Sequence, residues 1–152
     1  MSFTRSLSAF ARACGGRLTG VDGAYTDVVS DSRTLQPGQL FVALNGPNFE
    51  GRDFLPAALA AGAAGAVVDA AQPLALPQIV TDDTQAALAR AARSWRTDFG
   101  GPLIGVAGSN GKTTAKEMIA AILNAAGACL ATRGNLNNHI GVPLTLLRLT
   151  GE

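Results

Sequence analysis

The run Gly108-Ser-Asn-Gly-Lys-Thr-Thr114 holds the residues of this chain best suited to chemistry. Backbone N–H groups can surround a phosphate only where no side chain blocks the approach and unusual φ values cost little, which is what glycines 108 and 111 offer. If a helix opens here, the positive end of its dipole adds a favourable field. Lys112 can then reach the β and γ phosphates and Thr113 can put its hydroxyl on Mg²⁺. That is the chemistry of a nucleoside triphosphate site. Against the general pattern G-x-x-x-x-G-K-[ST], Gly111, Lys112 and Thr113 match, while the leading glycine position holds Val106. A Gly-rich strand-to-helix turn that merely contains a lysine is the competing reading. The apolar run before the loop, the helical pattern after it and the doubled Thr113-Thr114 argue against that.

The elements that must position this loop follow from periodicity. Leu103-Ile-Gly-Val-Ala107 reads as a buried strand, and 115–126 as a helix with Met118, Ile119, Ile122 and Leu123 on its apolar face, stopped by Gly127. Cys129-Leu130-Ala131 reads as the next strand of a β-loop-α-β unit. A polar loop, Arg133-Gly-Asn-Leu-Asn-Asn-His139, then leads to a helix from Val142 to Leu149. Upstream, Leu7, Phe10, Ala11 and Cys14 recur at helical spacing before Gly15-Gly16. Strands are expected near Asp27–Ser30, Leu40–Leu44, Gly65–Asp69 and Gln78–Val80, with helices near Phe54–Ala61 and Thr84–Thr97. Gly100-Gly101-Pro102 interrupts this α/β pattern and is the expected domain boundary, dividing residues 1–100 from 101–152.

Composition excludes some functions. With 152 residues and 47% hydrophobic content the chain can bury a core, yet it is short for two complete α/β domains. A formal charge of +1 with scattered Lys and Arg offers no stripe for nucleic acid or an anionic membrane. The Ala/Gly-rich stretch 57–71 is too short to span a bilayer. Arg5, Arg12 and Arg17 without an acid in the first 21 residues are shared with targeting segments, but the spacing there is that of an ordinary amphipathic helix. Cys14 and Cys129 lie outside any metal or redox spacing and are expected as reduced, buried thiols, as suits a cytoplasmic protein. His139, the only histidine, has no Cys, Asp or Glu at ligand spacing nearby and reads as a solvated loop residue.

The loop resembles that of the Mur ligases, ATP-dependent amide-forming enzymes of peptidoglycan precursor synthesis, whose pattern G-[TS]-x-G-K-[TS]-[TS] commonly lacks the leading glycine. Ser30-Asp-Ser-Arg33, Gly38-Gln-Leu-Phe-Val-Ala-Leu-Asn-Gly46 and Gly134-Asn-Leu-Asn-Asn-His-Ile-Gly-Val-Pro-Leu-Thr-Leu-Leu147 resemble the branch that joins D-alanyl-D-alanine to UDP-N-acetylmuramoyl-tripeptide. The resemblance runs through essentially the whole chain but stops short of the family's length, which implies an amino-terminal piece. The implied fold is a small α/β domain that binds the UDP substrate, followed by the start of a P-loop, Rossmann-like ATP-binding domain.

The resemblance further implies ATP and Mg²⁺ as cofactors and a cytoplasmic monomer. It makes Gly108, Ser109, Asn110, Gly111, Lys112, Thr113 and Thr114 the ATP contacts, Lys112 the catalytic cation and Thr113 the Mg²⁺ ligand. Ser32, Arg33, Asn48, Phe49, Asn137 and Asn138 become substrate contacts, with the remaining metal ligands and the dipeptide site expected beyond Glu152, so that the chain alone is not expected to catalyse ligation. Read from the residues alone, Asp31-Ser32-Arg33 could be a turn with a local ion pair, Phe49 a core residue, and Asn135, Asn137 and Asn138 turn and cap residues. A Mur-type ligase for another amino acid, a folate or cyanophycin relative, a non-catalytic UDP-sugar-binding module and a general P-loop kinase or GTPase are the alternatives.

Overall fold

The computed structural model describes residues 5–150. Helix α1 (Leu7–Cys14) starts where the Ser6 hydroxyl accepts the Ala9 N–H and stops at Gly15, whose φ of 72° closes the last turn. The buried set of α1 is Leu7, Phe10, Ala11 and Cys14, the spacing read from the sequence. Strands β1 (Arg17–Thr19), β2 (Val28–Val29), β3 (Leu40–Val42), β4 (Gly65–Val68) and β5 (Gln78–Val80) form one sheet in the order β1-β5-β4-β3-β2. Four are parallel; β1 is an antiparallel edge on β5.

Alternation along the central strands sends side chains into two cores. Leu40, Val42, Val67 and Ile79 join α1 and α3 (Thr84–Phe99) on one face. Phe41, Ala43, Ala66 and Val68 face the other way, onto Leu55 and Ala58 of the short helix α2 (Leu55–Ala60), which continues from a 3-10 turn at Gly51–Phe54. Asp83 caps α3 through the Ala86 N–H, and Gly100 at φ 64° ends it. Arg90, on the polar side of α3, donates from Nε to the Cys14 carbonyl at 2.6 Å, clamping the end of α1.

Past Gly100-Gly101-Pro102 come α4 (Lys112–Ala126) and α5 (Gly141–Leu146). The expected strands at Leu103–Ala107 and Cys129–Ala131 are a correction: both stretches join no ladder among the described residues. An apolar run is only half of a strand; the other half is a neighbour to receive its N–H and C=O groups. The apolar face of α4 is uncovered too, with Met118 63% and Ile122 69% exposed and Ala120 the buried residue of the helix. Helix α5 behaves differently. Leu147, just after it, is buried in the α1/α3 core, the Trp95 Nε1–H donates to the Leu149 carbonyl at 2.9 Å, and the Arg5 guanidinium donates to the carbonyls of Thr26 and Leu147. Both thiols are free; Cys14 is buried but Cys129, expected buried, is only partly so because its segment packs under no sheet. No helix among the described residues is long and apolar enough to cross a membrane.

Candidate nucleotide and substrate site

The candidate phosphate loop, residues 108–114, runs from the extended stretch 103–107 into α4. Gly108 has φ 151° and Gly111 φ 74°, and a Cβ on Gly111 would meet nothing within 4 Å. Glycine is therefore favoured at 111 by the left-handed backbone and by the open approach it leaves, not by crowding. Helix α4 starts three residues earlier than periodicity suggests, at Lys112, with Gly111 as an N-cap that has no capping side chain. The first ladder bond is Ala115 N–H to the Gly111 carbonyl at 2.9 Å, so the amides before it carry the helix's positive end without an intrahelical acceptor. Lys112 Nζ curls back to donate to the carbonyls of Gly108 at 2.5 Å and Ser109 at 3.4 Å. Ser109, Asn110, Thr113 and Thr114 are exposed.

This donor set fits a polyphosphate: outward amides, an ammonium over the loop and no acid in the first turn. Toward a divalent cation it offers the Thr113 hydroxyl. Among the described residues there is no group of three or more His, Cys, Asp or Glu that could hold a metal, and His139 is exposed.

Four of the other predicted residues, Ser32, Arg33, Asn48 and Phe49, lie in loops at the carboxyl edge of the sheet. Strands β2 and β3 are parallel neighbours, with Val28 opposite Leu40 and Val29 opposite Phe41, so Ser32-Arg33 and Asn48-Phe49 follow them on the same edge. Open α/β sheets bind ligands there. The Arg33 guanidinium donates to both Asp31 carboxylate oxygens, at 2.9 and 2.7 Å, and its backbone N–H donates to the same carboxylate. These bonds hold the Asp31 carboxyl down at about 2 and raise the Arg33 pKa. Ser32 is half-buried in the turn between them.

After β3 the chain makes a tight reversal in which the Gly46 N–H bonds the Phe49 carbonyl at 3.0 Å. The Phe49 ring lies over Gly46, where a Cβ would come within 2.3 Å of it, and meets Phe54 edge-on at 5.8 Å. Phe49 is 50% exposed, so it is not a core residue; Asn48 at the tip is exposed. Asn45 anchors the reversal by accepting the Gly51 N–H and donating to Asp69 after β4. Sequence reading passed over Asn45 and Asp69, since neither carries a recognisable spacing.

In the asparagine loop, Asn138 Oδ1 accepts the N–H groups of Ile140 and Gly141 ahead of α5, at 3.2 and 2.8 Å. That is cap chemistry. Asn137 donates to the Asn135 side chain at 2.8 Å, and all three asparagines are exposed. Lys116, one helical turn beyond Lys112, was also passed over. Its Nζ donates to the carbonyls of Thr132 at 2.5 Å and Gly134 at 3.0 Å. The spacing Lys112/Lys116 marks one helix face, but no sequence pattern reveals carbonyl acceptors.

Tyr25 and Cys14 lie apart from the site, in the core beside α1. Burial pushes the Tyr25 hydroxyl up to about 12 and raises the Cys14 thiol.

Comparison with known proteins finds one family along the chain. The Mur ligase family catalytic domain matches residues 24–96 and the Mur ligase middle domain matches residues 106–152. The UDP-N-acetylmuramoyl-tripeptide--D-alanyl-D-alanine ligase of Escherichia coli (strain K12) is 44% identical over 147 residues, covering 97% of this chain and 32% of that protein. The ligase of the same name from Bacillus subtilis (strain 168) is 42% identical over 125 residues, covering 80% of this chain and 27% of its own length. A crystal structure of MurF from Acinetobacter baumannii superposes with a TM-score of 0.88 at 32% identity, over 100% of this chain and 34% of that one. MurF ligase from Thermotoga maritima in complex with ADP gives 0.70 at 32% identity, over 82% of this chain and 30% of that chain. The chain thus spans about a third of the length of these relatives. Two domain models of one family match in chain order without overlap, one over strands β2 to β5 with the carboxyl-edge loops and one over residues 108–114 and α4, and the chain belongs to the Mur ligase family.

Proposed function

We propose that this chain carries the substrate-anchoring domain and the phosphate loop of a cytoplasmic ATP-dependent ligase that joins D-alanyl-D-alanine to UDP-N-acetylmuramoyl-tripeptide. The domains divide at Gly100-Gly101-Pro102, into 1–100 and 101–152. The observation that carries the reading is the pairing of two anion-directed features in one chain: the uncapped amino end of α4 with Lys112 over it, and the Arg33 and Phe49 loops at the carboxyl edge of the sheet.

In this reading bound ATP and Mg²⁺ would supply the phosphoryl group that activates the tripeptide carboxylate, leaving ADP, and the dipeptide amine would then displace phosphate and lose a proton as the amide forms. The residues of this chain bind and orient. The loop amides of 108–114 and the Lys112 ammonium hold negative phosphate oxygens, and Lys112 stabilises charge on the transferring group. Thr113 gives its hydroxyl to the cation. Arg33 offers a planar fork to the diphosphate, Ser32 and Asn48 supply polar atoms around it, and Phe49 offers a ring face to the uridine. Asn137 and Asn138 supply side-chain amides between the two ligands.

Titration calorimetry of the 152-residue chain with UDP-N-acetylmuramoyl-tripeptide and, separately, with ATP·Mg²⁺ tests this. Binding of both is expected; binding of the first alone would replace the ligase reading with a UDP-sugar-binding module, and binding of ATP alone with a general P-loop protein. Amide formation is not expected from this chain by itself, because the apolar face of α4 and the stretch 103–107 lie open around the phosphate loop and leave it accessible to water.

A further inference from the structure

Helix α4 has few ties to the rest of the chain, and the polar ones converge on one side chain. Lys112 bonds within the loop that opens the helix, and Asn124 bonds within the helix itself. Lys116 is the α4 side chain that reaches another segment among the described residues. Its side chain is only 16% exposed, and its ammonium has three oxygen partners: the Thr132 carbonyl, the Gly134 carbonyl and, at 2.8 Å, Glu117 Oε1. An ammonium has three N–H donors, so this set satisfies it in full. Gly134 contributes through its backbone: its φ of 52° is left-handed, and its carbonyl is one of the three acceptors. The segment Lys116 grips runs directly into Asn135, Asn137 and Asn138, then into α5, which is fixed to the first core through Leu147 and Trp95.

We propose that Lys116 is a positioning residue that locks the phosphate-loop helix to the asparagine loop, so that nucleotide and UDP-substrate binding are coupled through it. The inference rests on the proposed function. A nucleotide that orders the first turn of α4 also orders the Lys116 pin four residues on, and the pin in turn holds the asparagines in place for the second ligand. Coupling of this kind is reciprocal.

The test measures the Kd of ATP·Mg²⁺ on the full chain with and without saturating UDP-N-acetylmuramoyl-tripeptide, for the unaltered protein, Lys116→Met and Lys116→Arg. Amide exchange is followed at Leu136 and Asn137. The unaltered chain is expected to show a shift of about five-fold or more. Lys116→Met should abolish the shift and speed exchange at both amides while the α1/α3 core keeps its protection; Lys116→Arg, which retains charge and donors, should restore most of both. Retention of the shift in Lys116→Met, or its absence from an unaltered chain that binds both ligands, overturns the inference and leaves the proposed function standing. Failure of the unaltered chain to bind either ligand overturns both.

Discussion

Lys112 and Arg33 are the two cations proposed to meet phosphate, and they begin from different partners. Lys112 rests on two neutral carbonyls, whereas Arg33 is held by a full carboxylate at Asp31. A phosphate reaching Lys112 displaces dipoles; one reaching Arg33 must displace or share with a like charge. Lys112→Met therefore removes a charge-assisted contact worth about 1.5–3 kcal/mol, and a loss of roughly ten- to a hundred-fold in ATP·Mg²⁺ affinity is expected by calorimetry, with UDP affinity unchanged. For Arg33 the informative partner is Asp31. Its carboxyl titrates near 2, below the ordinary 3.8, so the pair's contribution is complete above the ordinary value and is lost as pH falls through about 2. The Arg33 side chain is largely exposed and that of Asp31 partly so, which makes the pair a local organiser of the turn more than a source of stability. An NMR titration should find Asp31 near 2 in the unaltered chain and back toward 3.8 in Arg33→Ala; an unmoved midpoint would show that the backbone bond from Arg33 alone sets it.

The second half of the chain contributes its elements unequally. Helix α5 is short, yet Leu147 behind it is buried among α1 and α3, and two hydrogen bonds from Arg5 and Trp95 hold the carbonyls of Leu147 and Leu149. Helix α4 is longer and better patterned, yet its apolar face meets solvent. Stability should follow burial, not length. Leu147→Ala is expected to cost about 2–5 kcal/mol in urea unfolding followed through Trp95 fluorescence. Ile122→Ser is expected to stay within about 0.5 kcal/mol. A large loss from Ile122→Ser would mean that α4 packs against the fold in solution.

For the molecule as a whole, legibility in the sequence tracked whether an element's partners were themselves legible. The α1 stripe and the central strands could be read because one face of each is set by the sheet they build. Strand β1 could not: Arg17-Leu-Thr19 has no distinctive alternation and is a strand because β5 receives it, Leu18 opposite Ile79. Stretches 103–107 and 129–131 failed in the opposite sense, with apolar runs and no ladder among the described residues. The proposed phosphate loop could be read as a candidate because its chemistry is local, written in two glycines and a lysine. The Lys116 pin was not, since its acceptors are backbone atoms that any sequence provides. The same contrast governs behaviour in solution. Leu103, Ile104, Met118 and Ile122 are each more than half exposed and lie in the stretch whose expected strands found no partner. Apolar surface of that kind attracts dyes and other apolar surfaces. The full chain should therefore bind the dye ANS while the Trp95 core remains cooperatively folded. The pair Met118→Gln/Ile122→Ser should remove most of the signal, whereas an unchanged signal would place the exposed apolar surface on another element.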